Sequence, residues 1–234
     1  MMFPEQAEVV DDFARFGIFA FTTTRQFGSV GTGSDEPVRD VLGRWDAIRA
    51  TLDQRGVKRL ATASQVHGAH VLIHEPGWEG WLRSVGADGH LAVARGTALG
   101  VTIADCVPVF LAHPSGSVAA LHSGWRGTVA RIAEHGIRAM EQRGFPANEL
   151  YMHLGPAICA RCYEVSADVA AQLTGEAASA ARTVDLRGII AEHARALGVH
   201  HISVSPSCTK CDNNRFFSHR AGDAGRQVAV IMAS

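Results

Sequence analysis

Lysine is nearly missing from this 234-residue chain: only Lys58 and Lys210 occur, and every other basic residue is Arg. An excess of either charge is missing too. The 22 basic and 23 acidic residues are evenly mixed, for a net charge of −1, with no basic block or stripe. That pattern excludes the electrostatic footprint of a nucleic-acid or anionic-membrane binder. No apolar run is long enough to span a bilayer. The opening MMFPEQAEVVDDF carries acids where a secretory leader needs Lys or Arg followed by an apolar stretch, so the expected address is the cytoplasm. Cysteine is scarce and odd in number: Cys106, Cys159, Cys162, Cys208 and Cys211. Such a count argues against a disulfide scaffold and for thiols that bind metal or do chemistry in a reducing compartment.

What the chain does have is apolar material. At 47% hydrophobic and 19% charged residues it can bury a sizeable core. It shows no internal repeat and no low-complexity linker, so residues 1–234 are expected to form a single domain. Short apolar runs predict strands at Ile18–Thr22, Arg59–Ala63, Val71–His74, Leu99–Ile103, Val107–Ala112, Val118–His122, Tyr151–Leu154, His201–Val204 and Gln227–Met232. Helical spacing of Val41, Leu42, Trp45, Ile48 and Leu52 predicts a helix from Pro37 towards Gly56. Two more are expected over Thr128–Gln142 and Asp185–Leu197, the last stopped by Gly198. Strands and helices without regular alternation predict an α+β fold, a sandwich-like mixed β-sheet core flanked by helices. Gly28–Asp35, reading GSVGTGSD, has the composition of an active-site loop.

Three segments place a reactive residue at a strand end beside turn formers: His67 in SQVHG, Cys106 in ADCVPV and His122 in LHSGWRGT. Two imidazoles and a thiolate are a three-ligand zinc set that leaves a fourth position open. Zinc held this way lowers the pKa of bound water towards ~7 and so supplies a nucleophile at neutral pH. The separations, 38 and then 15 intervening residues, do not by themselves show that the three converge. Packed core residues are the competing reading for each of them. After His122, Gly124, Arg126 and Gly127 lead into a helix expected near Thr128. A glycine-rich turn at a helix N-terminus suits an anion, and Arg126 suits a bidentate phosphate contact. An exposed Arg126 on a simple tight turn is the alternative.

In chain order, SQVHG, ADCVPV, HSGWRGT, GPAICARCYEV and CTKCDNNRFFSHR resemble the bacterial family known variously as laccase-domain polyphenol oxidases, peptidoglycan editing factors and purine nucleoside phosphorylases. The resemblance runs from roughly Arg59 to the C-terminus. It implies an α+β fold and a zinc on His67, Cys106 and His122. It also implies phosphorolysis of adenosine, inosine and methylthioadenosine, and deamination of adenosine, with a purine nucleoside and phosphate as the small-molecule partners. A copper-dependent oxidase activity has been attributed to the same family. Asp105 is then the acid–base or ligand-supporting candidate, and Gln65, Arg126, Gly127 and Arg220 are the substrate-binding candidates. The chain departs from the family twice. The usual Ser-Leu-Asn-Leu type stretch is absent after Thr24-Arg25, and the usual Ala-Asp-Ala-Leu-Val-Thr reads Ala87-Asp88-Gly89-His90-Leu91-Ala92.

The remaining cysteines form Cys159-x-x-Cys162 and Cys208-x-x-Cys211, which could build a closed, structural zinc site. The 45 residues between the pairs exceed the usual spacing, so one zinc per chain is the expectation. Phe216, Phe217 and Arg220 are expected either to close the pocket or, for the two Phe, to pack in the core. Two rival functions follow from the same residues. Cys106 activated by His122 or His67 would make a cysteine hydrolase or amidase acting on a peptide-like cell-wall precursor. Alternatively, the chain is a metal-binding regulator without turnover. A multicopper polyphenol oxidase fits least, because two His and one Cys lack the further histidines such a centre needs.

Overall fold

The computed structural model describes residues 6–234. The chain runs β1 (Ala7–Val10), β2 (Ile18–Thr23), α1 (Val38–Asp53), β3 (Arg59–Ser64), β4 (Val71–His74), β5 (Gly80–Val85) and β6 (Gly89–Ala92). It continues through β7 (Thr97–Ile103), β8 (Val107–Ala112), β9 (Val118–Ser123), α2 (Trp125–Val129), α3 (Ile132–Glu141) and β10 (Tyr151–Leu154). The last elements are β11 (Glu164–Val165), α4 (Ala167–Thr174), β12 (Arg182–Thr183), α5 (Leu186–Ala196), β13 (His201–Val204) and β14 (Gln227–Ala233). Two mixed six-stranded sheets, ordered β1-β2-β14-β7-β3-β5 and β13-β10-β8-β9-β6-β4, carry the fold.

The layering follows from where the apolar side chains go. Ala20, Leu99, Val101 and Ile231 of the first sheet meet Phe110, Ala112, Val118 and Ala120 of the second in one buried cluster between the sheets. The outer face of the first sheet packs Phe21, Leu60, Val228 and Val230 against Val41, Trp45, Ile48 and Leu52 of α1. The outer face of the second packs Val109, Leu111 and Leu121 against Ile132, Ile137 and Met140 of α3 and Ile190 of α5. The result is an α–β–β–α stack. Strands covered on both faces have no solvent side to alternate towards, so β8, β9 and β14 are buried at every residue and read as continuous apolar runs. Helix α3 approaches β9 closely enough that a Cβ at Gly136 would meet Leu121 Cδ1 at 2.7 Å.

All nine expected strands lie on observed ones, and the structure corrects several other expectations. The helix expected over Thr128–Gln142 is two helices, α2 beginning early at Trp125 and α3 at Ile132, broken where Arg131 takes φ 60°. Leu42 on α1 is exposed, since the apolar stripe turns inward at Val41 and Trp45 instead. The Gly28–Asp35 stretch is pinned at its start. Val30 N–H bonds to Arg226 O, Ser29 O accepts from Arg44, Val30 O accepts from Trp45 Nε1, and both Ser29 and Val30 are buried. Phe216 and Phe217 are core residues.

Candidate metal centre

The β8–β9 hairpin does half of the assembly. Its antiparallel register pairs Val107 with Ser123 and Pro108 with His122, so Cys106, one residue before β8, comes to lie beside His122 and Gly124. A Cβ on Gly124 would sit 2.8 Å from Cys106 Sγ and 3.5 Å from the His67 ring, so only glycine leaves that space to the thiol. The other half comes from Asp88, just before β6. Its backbone oxygen accepts from His122 N–H at 2.7 Å as β6 pairs with β9. Its fully buried carboxylate accepts from His122 Nδ1 at 2.8 Å and from the backbone N–H groups of Val66, His67 and Gly68 at 3.0, 2.9 and 2.8 Å. One carboxylate therefore orients one imidazole and folds the turn that carries the other.

The ligand atoms of His67, Cys106 and His122 all lie within 4.8 Å of one another. Ligands at ~2.0–2.3 Å around a tetrahedral ion are about 3.3–3.8 Å apart, so the group suits one zinc-sized ion after small adjustment. Burial is graded, with His122 buried, Cys106 half-buried and His67 exposed, which leaves an open side. His122 Nδ1 is engaged by Asp88, so Nε2 faces the shared space. This carboxylate–imidazole arrangement is the one that fixes a metal-binding tautomer. His67 and Asp105 both hold positive φ, 60° and 83°, a strained conformation for non-glycine residues that is concentrated here.

Cys106 and His122 shift each other's protonation in opposite directions. Burial alone would raise the Cys106 thiol, but the charge of His122 and hydrogen bonds from His122 and His67 bring it down to about 6. Burial alone would lower His122, but the Cys106 thiolate and Asp88 lift it to about 9. A cation bound by both side chains would favour the same thiolate and require His122 to release its proton.

The other expected site residues fall nearby in different roles. Asp105 is buried, and its carboxylate accepts from Thr209 Oγ1 and from Arg220 N–H, both at 2.6 Å, while its carbonyl accepts from Ile158 N–H at 3.0 Å. It is a strut for the Cys106 loop. Gln65 clamps the end of β7: its amide oxygen accepts from Thr102 N and Oγ1, and its amide nitrogen donates to Thr102 O. Arg126 is exposed within α2 and lies over Trp125, and Gly127 is buried in the first turn of that helix. Arg220 stacks on Tyr163 and donates to Glu164 O. Tyr163 is one residue that the sequence reading passed over. Burial first, then the Cys106 thiolate, push its hydroxyl up to about 12, while Arg220 and Arg126 pull the other way. Both arginines and Cys106 thus act on one phenol. Asp88 was also passed over, although a lone acid in the run Ala87–Ala92 is the kind of buried charge that demands partners.

Fold and site together describe an α+β protein in which two imidazoles and a thiol converge in a three-residue group that could hold a metal ion. Residues 24–234 match the family described as Multi-copper polyphenol oxidoreductase laccase, and the chain belongs to that family. A Streptomyces coelicolor protein named purine nucleoside phosphorylase is 36% identical over 181 residues, covering 74% of each chain. A protein named adenosine deaminase, from an unknown prokaryotic organism, is 30% identical over 241 residues, covering 89% of this chain and 91% of the other. The crystal structure of YlmD from Geobacillus stearothermophilus superposes with a TM-score of 0.84 at 28% identity, over 96% of this chain and 94% of that one. The likeness supports a purine nucleoside enzyme in the broad sense. Among the described residues no helix is long and apolar enough to cross a membrane. Among them, two groups could hold a metal ion, this one and a set of four cysteines.

Proposed function

We propose that the chain is a zinc-dependent purine nucleoside enzyme, acting as one domain in the cytoplasm. Its reactions are phosphorolysis of adenosine, inosine and methylthioadenosine and hydrolytic deamination of adenosine. The observation that carries this reading is the convergence of His67, Cys106 and His122 with Asp88 behind them, in a chain whose relatives bear those two enzyme names. His67, Cys106 and His122 would hold the ion, which supplies Lewis acidity at neutral pH. Zinc is preferred over copper because a closed-shell ion suits group transfer and needs no redox partner.

The chain's own groups divide the remaining work. Asp88 keeps His122 in the binding tautomer, and Asp105 acts through position, holding Cys106 in place from Thr209, Arg220 and Ile158. Arg126 and the backbone N–H groups of the first turn of α2 form the phosphate side. Helix α2 is only five residues long, so those N–H groups matter more than any summed dipole. Tyr163 stays protonated at neutral pH and can donate to a substrate oxygen or nitrogen. Arg220, stacked on its ring, walls the same space.

Metal analysis combined with product identification tests the reading. Protein carrying zinc should release free base and ribose 1-phosphate from inosine with phosphate, and inosine from adenosine without it. Protein stripped by a chelator should do neither until zinc is restored. The thiolate–imidazolium pair of Cys106 and His122 supports a second reading, a cysteine hydrolase. That enzyme would remain active after stripping and die on alkylation of Cys106.

A further inference from the structure

The parallel strands β10 and β13 do not stop where their ladder ends. Ser205 N–H bonds to Leu154 O, Ala157 and Cys208 form a further parallel bridge, and Thr209 N–H bonds to Ala157 O. The two chains therefore run side by side into Cys159-x-x-Cys162 and Cys208-x-x-Cys211. The four sulfurs end within 4.8 Å of one another, the convergence that the long spacing between the pairs left open.

The geometry points to a second metal site: Cys159, Cys162, Cys208 and Cys211 bind one zinc ion as a closed tetrathiolate, and this ion fixes the two segments that hold Asp105 and Cys106. The size is right. Four sulfurs at ~2.3 Å from a tetrahedral ion lie about 3.8 Å apart. Cys162 Sγ and Cys211 Sγ are 3.4 Å apart, far beyond a disulfide bond of ~2.05 Å. A cage this tight encloses a single ion and has no room for an iron–sulfur cluster. The backbone is already arranged for thiolate charge, since Cys208 Sγ accepts from the N–H groups of Cys159 at 3.2 Å and Cys211 at 3.4 Å. Arg161 and Lys210, the latter one of only two lysines, sit inside the two CxxC turns and offset the negative charge of a zinc tetrathiolate.

The placement gives the ion a task. Cys159 follows Ile158, whose N–H holds the Asp105 carbonyl, and Cys208 precedes Thr209, whose hydroxyl holds the Asp105 carboxylate. Tying Cys159 to Cys208 therefore locks both supports of the residue next to Cys106.

Zinc content and thiol accessibility of the intact protein test the site. Cys106→Ala removes the thiolate of the other centre and should still retain one equivalent of zinc. Its four remaining thiols should resist alkylation until a denaturant and chelator are added together. Cys162→Ser combined with Cys211→Ser should lose one equivalent relative to wild type. Cobalt supplied to Cys106→Ala should give the intense near-ultraviolet thiolate charge-transfer absorption of a tetrathiolate. This arm reads the site even if the double serine variant does not fold. Absence of zinc from Cys106→Ala with rapid native alkylation, a Cys162–Cys211 disulfide in fresh protein, or iron in place of zinc would overturn the proposal. A wild type with one equivalent that Cys106→Ala also keeps would support it while counting against zinc at His67, Cys106 and His122.

Discussion

The two ligand groups of this molecule differ in what surrounds them. Around His67, Cys106 and His122 the support is a buried carboxylate, two strained backbone residues and a glycine that clears space beside the thiol, and one imidazole is exposed. Around the four cysteines the support is backbone N–H donors from the turns themselves. The first arrangement keeps an open position and a tunable set of protons, and the second fills every position. A carboxylate behind an imidazole adjusts basicity and orientation, which chemistry needs, whereas N–H groups aimed at sulfur hold shape. On the proposed reading, the contrast separates a place where something happens from a place that keeps it assembled.

The largest effect that could break this contrast lies in the ligands of the open group. His67→Ala, Cys106→Ala and His122→Ala should each remove the metal of that centre and all nucleoside turnover together. Full metal occupancy with lost activity in one of them would move that residue from ligand to substrate contact. Next comes Asp88. Asp88→Asn keeps the shape but weakens acceptance from His122 and from three backbone N–H groups. Metal affinity should fall about 10–100-fold, as for other residues that orient a metal-bound imidazole. An unchanged affinity by competition with a chromophoric chelator would show that the carboxylate only folds the Val66–Gly68 turn. Arg126→Ala should raise KM for phosphate about tenfold or more, the loss of a charge-assisted contact, and leave phosphate-independent deamination alone. Equal losses in both reactions would place Arg126 on the nucleoside.

Much of this was legible in the chain, and the misses have physical causes. Apolar runs identified β8, β9 and β14, which are buried at every residue and cannot alternate, but not β6, which is equally buried. The strands that escaped lie at edges or are poor in large side chains: β5 opens on Gly80 and carries Arg83 and Ser84, and β6 reads Gly-His-Leu-Ala. The break at Arg131 carries no glycine or proline, so nothing in the sequence marks it. Both strands of the hairpin that brings Cys106 to His122 were legible as the runs Val107–Ala112 and Val118–His122, but their pairing was not. Convergence of the four cysteines was not, because it depends on β10 and β13 pairing in parallel across half a hundred residues. Long-range parallel pairing leaves no local trace.

Acid tests the open group's side of the contrast, where a buried histidine pair joins β4 to β6, the strand that follows Asp88. His90, two residues beyond Asp88, is fully buried and bonded through Nδ1 to His74 Nε2 at 2.9 Å. Burial, and then the charge of His74, lower its pKa to about 3, and burial lowers His74 as well. A histidine whose folded pKa lies below its unfolded value of ~6.5 binds more protons when unfolded across that interval. Stability therefore falls as pH drops below 6.5, by about 2 kcal/mol between pH 7 and 5 for one such group. Urea midpoints at the two pH values should show this loss, and His90→Gln should flatten it. A wild-type midpoint that does not move would mean that water reaches this pair.

The smallest change asks whether the two regions are joined at all. Thr209 is fully buried, one residue past Cys208, and its hydroxyl gives Asp105 one of its two short carboxylate hydrogen bonds. Thr209→Val keeps the volume and removes only the donor. Leaving a buried carboxylate oxygen without that partner costs about 1–3 kcal/mol, which a denaturation midpoint will register whatever the site does. The informative readout is kcat at saturating substrate with metal content measured alongside. If Asp105 transmits the cysteine cage to Cys106, kcat should drop several-fold while both metals stay bound. The effect should also fail to add to that of Cys162→Ser with Cys211→Ser, since both would cut the same connection. If the drop appears only in stability, or if the two effects on kcat multiply independently, the cage and the open centre share a neighbourhood without sharing a mechanism. The hydrogen-bonded path from Cys208 through Thr209 to Asp105 favours the coupled outcome, because each link is short, buried and one residue from a ligand.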